Sequence, residues 1–191
     1  MNGMKKGRLF ILSGPSGVGK GTVRARLFQV VPDLVYSISC TTRKIRDGET
    51  DGIQYRFLDL ETFESYVGQD LFIEWAKVHG NLYGTLKDDI ARVLEKGRDV
   101  VLEIDVQGAI QVKDKMPDSV MIFLMPPNFD ELRKRLSGRG TEGTDSLNER
   151  LQNAATELAF SARYDYSVVN DEVERAAMEI AAIIRKEREK E

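Results

Sequence analysis

Cysteine, histidine and tryptophan are almost absent from the sequence, since each occurs once in 191 residues. With Cys40 as its only cysteine, the chain cannot form an internal disulfide. We interpret Cys40 as a small buried side chain rather than a nucleophile. His79 has no second nitrogen or sulfur ligand in a metal-binding spacing nearby, so we expect neither a metal-binding nor a catalytic role for it.

An excess of one charge and a long hydrophobic run are also lacking. The 28 basic and 31 acidic residues give a net charge of −3, so no overall basic field favours a long polyanion such as duplex DNA. The N-terminal sequence MNGMKKGRLFILSG has too short an apolar run for a signal peptide or a membrane span. We therefore expect a soluble, cytoplasmic protein with no nucleic-acid or membrane partner, which binds any anion through a local cluster.

Short apolar runs rich in β-branched residues recur along the chain, and helix-like patterns follow most of them. The runs are Leu9–Ser13, Leu34–Ser39, Val100–Ile104, Val120–Leu124 and Ser167–Val169. Alternation of strands and helices favours a parallel sheet that is covered on both faces. The pattern predicts one α/β domain over residues 1–191, and between Lys44 and Gly84 short strands with turns indicate an inserted lobe.

The stretch GPSGVGKGT, residues 14–22, fits the pattern G-x-x-x-x-G-K between a predicted strand and a predicted helix. The glycines let successive backbone N–H groups turn toward an anion at a helix N-terminus, and the lysine adds a mobile ammonium group. We therefore predict a nucleotide phosphate site formed by Gly14, Pro15, Ser16, Gly17, Val18, Gly19, Lys20, Gly21 and Thr22.

Gly21 stands where the general motif has a hydroxyl that binds magnesium, so only Thr22 can supply one. Mg²⁺ keeps several waters and needs few protein ligands, so the ion is compatible with this loop. Glu103 and Asp105 follow a second apolar strand and can orient waters of the ion. The candidate metal residues are Thr22, Glu103 and Asp105, in direct contact or through water.

A second basic cluster follows the predicted strand Leu34–Ser39. Arg43 and Arg46 lie three residues apart, and two guanidinium groups can bind one phosphate, with help from Tyr55. The alternative is a solvated basic turn, in which these arginines pair with Asp47 and Glu49.

Eight segments run in order and nearly end to end along the chain: GPSGVGKGT (14–22), SISCTTRKIRDGE (37–49), GIQYRF (52–57), FIEWAKVHGNLYGT (72–85), LEIDVQG (102–108), RLSGRGTE (135–142), NERL (148–151) and VVND (168–171). Together these segments resemble the guanylate kinase family. The resemblance implies a parallel-sheet P-loop kinase core with an inserted nucleoside-monophosphate lobe and a short lid. The implied ranges are the core at 1–36 and 86–191, the lobe at about 37–85 and the lid at about 137–148.

The resemblance implies transfer of the γ-phosphoryl group of ATP to GMP, and to dGMP, giving ADP and GDP. It implies that Glu74 reads guanine N1 and N2, that Ser39 meets O6 and that Asp105 assists at the base edge. These residue types suit guanine, which has donors at N1 and N2 and an acceptor at O6. The residues implied to hold the GMP phosphate are Arg43, Arg46, Tyr55 and Tyr83, with Thr85 beside them. As an alternative, Thr85 caps a following helix together with Asp88.

The lid is implied to bring Arg135, Arg139 and Arg150 to the phosphates, where they act with Lys20 and Arg43 in catalysis. Asn170 matches a family contact to the adenine or ribose of ATP. The alternative for the lid arginines is a helix surface on which they pair with acidic neighbours, namely Glu131, Glu142 and Glu149.

Two other functions are compatible with parts of this pattern. Another nucleoside monophosphate kinase, acting on AMP or a pyrimidine nucleotide, is disfavoured by Glu74 and Ser39. A guanylate-kinase-like module that binds peptides without catalysis is disfavoured because Lys20 and the arginines of both phosphate sites are present.

Overall fold

The computed structural model describes residues 6–78, 80–137 and 144–190, except for the side chains of residues 144–147. The described residues form nine strands and seven α-helices. The strands are β1 (Leu9–Ser13), β2 (Val35–Tyr36), β3 (Cys40–Thr41), β4 (Arg56–Phe57), β5 (Phe72–Val78), β6 (Asn81–Leu86), β7 (Val100–Glu103), β8 (Val120–Met125) and β9 (Tyr166–Val169). The helices are α1 (Lys20–Val30), α2 (Leu60–Gly68), α3 (Lys87–Glu95), α4 (Val106–Lys115), α5 (Phe129–Ser137), α6 (Thr144–Ala159) and α7 (Val173–Glu189).

Two compact units make up the chain. The loop unit, which contains the phosphate loop, comprises Phe10–Leu34, Glu103–Val106 and Val120–Glu191. The lobe unit comprises the chain up to Leu9, Val35–Leu102 and Gln107–Ser119. The predicted nucleotide-binding lobe lies within the lobe unit, and its boundaries at about 37 and 85 stay a prediction.

Parallel strands form the centre of the loop unit. β8 pairs with β1 on one side and with β9 on the other, both in parallel register. β1 is buried along its whole length and most of β8 is buried, as expected for strands covered on both faces. Helix α7 buries an apolar face, formed by Ala176, Ala177, Ile180, Ala181, Ile183 and Ile184. This arrangement places the loop that follows β1 at the carboxyl end of a parallel strand.

A mixed sheet with the strand order β4-β3-β6-β5 characterises the lobe unit. β3 and β4 are parallel, whereas β6 runs antiparallel to both β3 and β5. The sheet packs on a cluster of Cys40, Phe63 and Phe72, in which the two phenylalanine rings are stacked with centroids 4.6 Å apart. Cys40 is fully buried, and burial raises the pKa of its thiol to about 11, so the prediction of a small buried side chain is confirmed.

The predicted α/β class with a parallel sheet is confirmed, whereas some element boundaries differ. β1 has the predicted limits, but the run Leu34–Ser39 forms only the short strand β2. None of the helices in the described ranges is long and apolar enough to cross a membrane.

Candidate active site

Three glycines of the phosphate loop have backbone conformations that other residues rarely adopt. The φ angles of Gly14, Gly17 and Gly19 are 148°, 81° and 97°. A Cβ atom on Gly14 would lie 2.3 Å from the backbone oxygen of Leu124, so a side chain there would collide with β8. Gly14 is therefore required both by its φ angle and by the close approach of the β8 backbone, and Gly17 and Gly19 are favoured by their φ angles.

The loop leads directly into the N-terminus of α1, which begins at Lys20. Gly19 takes the N-cap position without a side-chain hydrogen bond, and the first turn of α1 contains no acidic residue. The orphan N–H groups and the positive end of the helix dipole can thus interact with an anion. Lys20 Nζ donates to the backbone oxygens of Gly14 at 2.5 Å and Pro15 at 3.3 Å, which places its charge over the loop.

Arg135 and Asn170 fix the middle of the loop. The backbone oxygen of Val18 accepts from Asn170 Nδ2 at 2.8 Å and from Arg135 Nη1 at 3.2 Å. Arg135 Nη2 also donates to the backbone oxygen of Asn170 at 3.2 Å, and its Nε donates to Glu131 Oε1 at 3.4 Å. Arg135 therefore contacts both Glu131, as the helix-surface alternative predicts, and the phosphate loop, which that alternative does not predict.

A carboxylate outside the predicted site residues also contacts this loop. The backbone N–H of Ser16 donates to Glu157 Oε2 of α6 at 3.2 Å. The two residues are 141 positions apart, and no local spacing connects them. Glu157 thus places negative charge on one of the N–H groups that the motif provides for phosphate.

Glu103 lies beside the first turn of α1. Its Oε2 is 3.2 Å from Arg24 Nε, and its Oε1 is 3.9 Å from the position that a Cβ of Gly21 would occupy. Because that separation is an ordinary van der Waals contact, sterics do not require glycine at this position. Within the described ranges, no group of three histidine, cysteine, aspartate or glutamate residues can hold a metal ion. The described part of the loop unit thus has fewer than three such ligands at any one place, which suits an ion that keeps most of its waters.

In the lobe unit, the predicted base-reading residues Glu74 and Ser39 are joined through Thr85, which the sequence places beside the GMP phosphate instead. Thr85 Oγ1 donates to Glu74 Oε1 at 2.5 Å, and the hydroxyl oxygens of Ser39 and Thr85 are 3.2 Å apart. Only 3% of Glu74 and none of Thr85 is exposed. Because a threonine hydroxyl has one proton, which goes to Glu74, the Ser39 hydroxyl donates to Thr85. The helix-cap alternative for Thr85 is wrong, because Thr85 lies in β6 and the N-cap of α3 is Leu86.

Two of the predicted phosphate residues of the lobe unit, Tyr55 and Tyr83, lie near Arg43. Its Nη1 and Nη2 atoms donate to the two carboxylate oxygens of Glu49, at 3.0 Å and 2.8 Å. The guanidinium carbon lies 5.3 Å from the ring centroid of Tyr55, and the Tyr55 and Tyr83 centroids are 5.9 Å apart. Arg43 holds the pKa of Glu49 below its usual range, so the pair stays ionised at neutral pH.

The alternative interpretation of the basic turn pairs both arginines with acidic neighbours. Of those pairs, the contact between Arg43 and Glu49 is the one described above. Glu49 engages the two terminal nitrogens of Arg43, whereas the edge that bears Nε faces away from this contact. Glu49 Oε2 also accepts from the backbone N–H of Arg46, whose side chain is exposed. Glu49 thus orients the Arg43 side chain and accepts a hydrogen bond from the turn backbone. From the sequence, Glu49 is interpreted only as an acidic residue that neutralises the arginines.

Four residues considered from the sequence remain, namely Asp105, Arg150, Arg139 and His79. Asp105 belongs to the loop unit and immediately precedes α4. Arg150 lies on α6 and is partly buried. Arg139 and His79 lie outside the described residues.

Comparison with known proteins gives a consistent family assignment. A model of the family described as guanylate kinase matches residues 6–187. The chain belongs to the guanylate kinase family. It is 51% identical to a guanylate kinase of Syntrophomonas wolfei over 184 residues, which cover 96% of this chain and 94% of that protein. It is 48% identical to one of Thermus thermophilus over 188 residues, covering 98% and 83% of the two chains.

A solved structure supports membership of the guanylate kinase family at the level of the fold. The crystal structure of guanylate kinase from Anaplasma phagocytophilum has a TM-score of 0.82 and 35% sequence identity. The match covers 97% of this chain and 88% of that one. The resemblance found in the sequence is therefore confirmed, while the roles of individual residues stay predictions.

The Arg43–Glu49 contact yields a first testable prediction. Replacing Glu49 with glutamine is expected to raise KM for GMP about tenfold, because the change removes a charge-assisted pair that orients Arg43. Steady-state kinetics with GMP as the varied substrate measures the effect, and KM for ATP is the internal control. If KM for GMP instead falls, Glu49 competes with the phosphate rather than positioning Arg43.

Proposed function

We propose that this protein transfers the γ-phosphoryl group of ATP to GMP, and to dGMP, giving ADP and GDP. The observation that carries the proposal is the buried Glu74, whose carboxylate accepts from the Thr85 hydroxyl, which in turn lies 3.2 Å from the Ser39 hydroxyl. A buried carboxylate is costly unless it receives hydrogen bonds. Guanine supplies two donors, at N1 and N2, that match the two oxygens of a carboxylate.

Ser39 completes the base-reading chemistry. In the structure its proton is directed to Thr85, and rotation about the Cβ–Oγ bond directs the same proton to guanine O6. Adenine would instead place the lone pair of N1 against an oxygen of Glu74, so that two acceptors face each other. This mismatch disfavours AMP as the acceptor.

The phosphate loop is the proposed binding site for the ATP phosphates. N–H groups at the N-terminus of α1 and the ammonium of Lys20 supply positive charge without a cap that competes for it. Asn170 Oδ1 is buried and accepts no hydrogen bond from the described residues, so it can accept one from the nucleotide. Thr22, Glu103 and Asp105 would hold Mg²⁺ mainly through its waters, and the ion would neutralise charge on the phosphates.

The chemistry needs no general base, because the attacking group of GMP is already a phosphate oxyanion. The protein contributes by aligning the two substrates and by neutralising charge as it moves between phosphate oxygens. Lys20 acts on the donor side, and Arg43 acts on the acceptor phosphate through the edge that Glu49 does not engage. The arginines of the lid region, Arg135, Arg139 and Arg150, stabilise the transferring group. We place this reaction in the cytoplasm.

The lid arginines give a second prediction. Changing Arg139 or Arg150 to alanine is expected to lower kcat by at least about tenfold, because each supplies charge to the transition state. Binding of GMP without ATP, measured by equilibrium titration, should change much less. If kcat falls by less than tenfold in both variants, their assignment to catalysis is wrong.

The overall reaction is tested by the product balance. With ATP, MgCl₂ and GMP, chromatography should show ADP and GDP appearing in equal amounts. Without GMP, release of ADP should fall close to background. Formation of ADP without GDP would contradict phosphoryl transfer to GMP.

A further inference from the structure

The strand that carries Glu74 has an irregular backbone directly before this residue. In the pairing of β5 with β6, Phe72 lies opposite Leu86 and Glu74 lies opposite Thr85, so Ile73 is an extra residue in a β-bulge. A bulge interrupts the ladder of hydrogen bonds and redirects neighbouring side chains. β5 is also an end strand of the four-stranded sheet, so no further strand of that sheet supports its outer edge.

Two side chains of α4 form hydrogen bonds with the outer edge of β5, where a further strand would otherwise pair. Lys115 Nζ donates to the Ile73 oxygen at 2.6 Å and lies 3.5 Å from the Phe72 oxygen. Gln111 Nε2 donates to the Trp75 oxygen at 2.8 Å, while the Trp75 N–H donates to Gln111 Oε1 at 3.2 Å. Gln111 and Lys115 are four residues apart and therefore lie on one face of the helix.

These contacts fix both neighbours of Glu74 from the outer edge of the sheet. On the inner side, Glu74 is paired with Thr85 through both its backbone register and its side chain. The position of the carboxylate is therefore determined by one strand on the inside and by one helix on the outside. A displacement of a positioned group by about 1 Å can cost on the order of 10²-fold in rate.

We propose that Gln111 and Lys115 are positioning residues that hold the β5 bulge and thereby set selectivity for the guanine 2-amino group. The inference rests on the proposed role of Glu74 as the guanine reader. Neither side chain belongs to the buried core: Lys115 is exposed and Gln111 is partly exposed. Removing them thus changes the support of β5 rather than the packing of the lobe.

The test compares GMP with IMP, which lacks the 2-amino group, in the variants Gln111→Ala, Lys115→Ala and their combination. In the double variant, the ratio of kcat/KM for GMP to kcat/KM for IMP is expected to fall about tenfold, with KM for ATP unchanged. In Lys115→Arg the ratio should equal that of the wild type, because a guanidinium also donates to carbonyl oxygens. Lys113→Ala is the matched control, since Lys113 lies on the same helix and donates to the Ser119 oxygen at 2.6 Å, away from β5.

A merely structural role predicts a different result. The melting temperature of the double variant would then fall while the ratio for GMP and IMP stayed as in the wild type, and this outcome overturns the inference. Glu74→Gln is measured in the same assay. If Glu74→Gln changes the ratio and the double variant does not, the inference fails and the proposed function stands. If Glu74→Gln leaves the ratio unchanged, the assignment of Glu74 as the guanine reader fails.

Discussion

Replacing Glu74 with glutamine is expected to lower kcat/KM for GMP by about 10³-fold, because hydrogen bonds to a charged group contribute about 1.5–3 kcal/mol each and two are lost. The amide keeps the size of the carboxylate but directs an N–H group at a donor of guanine. Thr85 keeps an oxygen to donate to, so its contact at 2.5 Å need not be lost with the charge. Steady-state kinetics with GMP, at saturating ATP, measures the change.

The same substitution should improve the use of AMP relative to GMP. Adenine N1 has a lone pair, which can accept from the new amide, so the ratio of kcat/KM for GMP to that for AMP is expected to fall further than GMP activity alone. Glu64→Gln is the matched control, because Glu64 is exposed on α2. An unchanged ratio in the Glu74→Gln variant would mean that another group reads the base.

Replacing Lys20 with methionine is expected to reduce kcat/KM for ATP by about 10²–10³-fold, the loss typical of removing one donor that stabilises developing charge. Methionine approximates the length of the lysine side chain without its charge. The hydrogen bonds from Nζ to the loop oxygens of Gly14 and Pro15 are lost as well. Turnover at varied ATP concentration, with GMP saturating, measures the effect.

Two controls separate catalysis from damage to the fold. Lys96→Met removes the same charge from an exposed position after α3 and should leave the kinetics unchanged. Binding of GMP to the Lys20→Met variant, titrated without ATP, should match the wild type. A fall in kcat/KM of less than tenfold would show that Lys20 is not the principal cation of the donor site.

The phosphate loop could be predicted because its determinants are contiguous. The glycines, the lysine and the flanking strand and helix lie within a short stretch, and the φ angles of Gly14, Gly17 and Gly19 are those the motif requires. The distant side chains that contact this loop could not be predicted in the same way. Glu157 reaches Ser16 across 141 residues, and Arg135 reaches Val18 across 117, so only the folded chain brings them together.

The lobe unit shows where local patterns mislead. Thr85 followed by Asp88 resembles a helix start, yet pairing of Thr85 with Glu74 extends β6 to Leu86. The run Leu34–Ser39 is apolar and β-branched enough for a long strand, but only Val35 and Tyr36 pair with β7. The chain continues through Ser39 into β3, which pairs with β4 and β6 instead. In both cases tertiary pairing overrides the local preference.

The bulge in β5 is a further feature without a local signature. FIEWAKV alternates irregularly between buried and exposed residues, and Ile73 is the residue that breaks the register. The lysine and glutamine of α4 that support it look like ordinary polar residues of a surface helix. Their significance depends on the tertiary placement of α4 against the edge of the sheet.

We propose that the buried carboxylate of Glu74 selects guanine as the acceptor base. The most direct test measures kcat/KM of the wild-type protein for GMP, dGMP, AMP, CMP and UMP, each with saturating ATP and MgCl₂. We expect efficient phosphorylation of GMP and dGMP, and values for the other three that are lower by at least about 10³-fold. Equal values for AMP and GMP would contradict selection of guanine by Glu74.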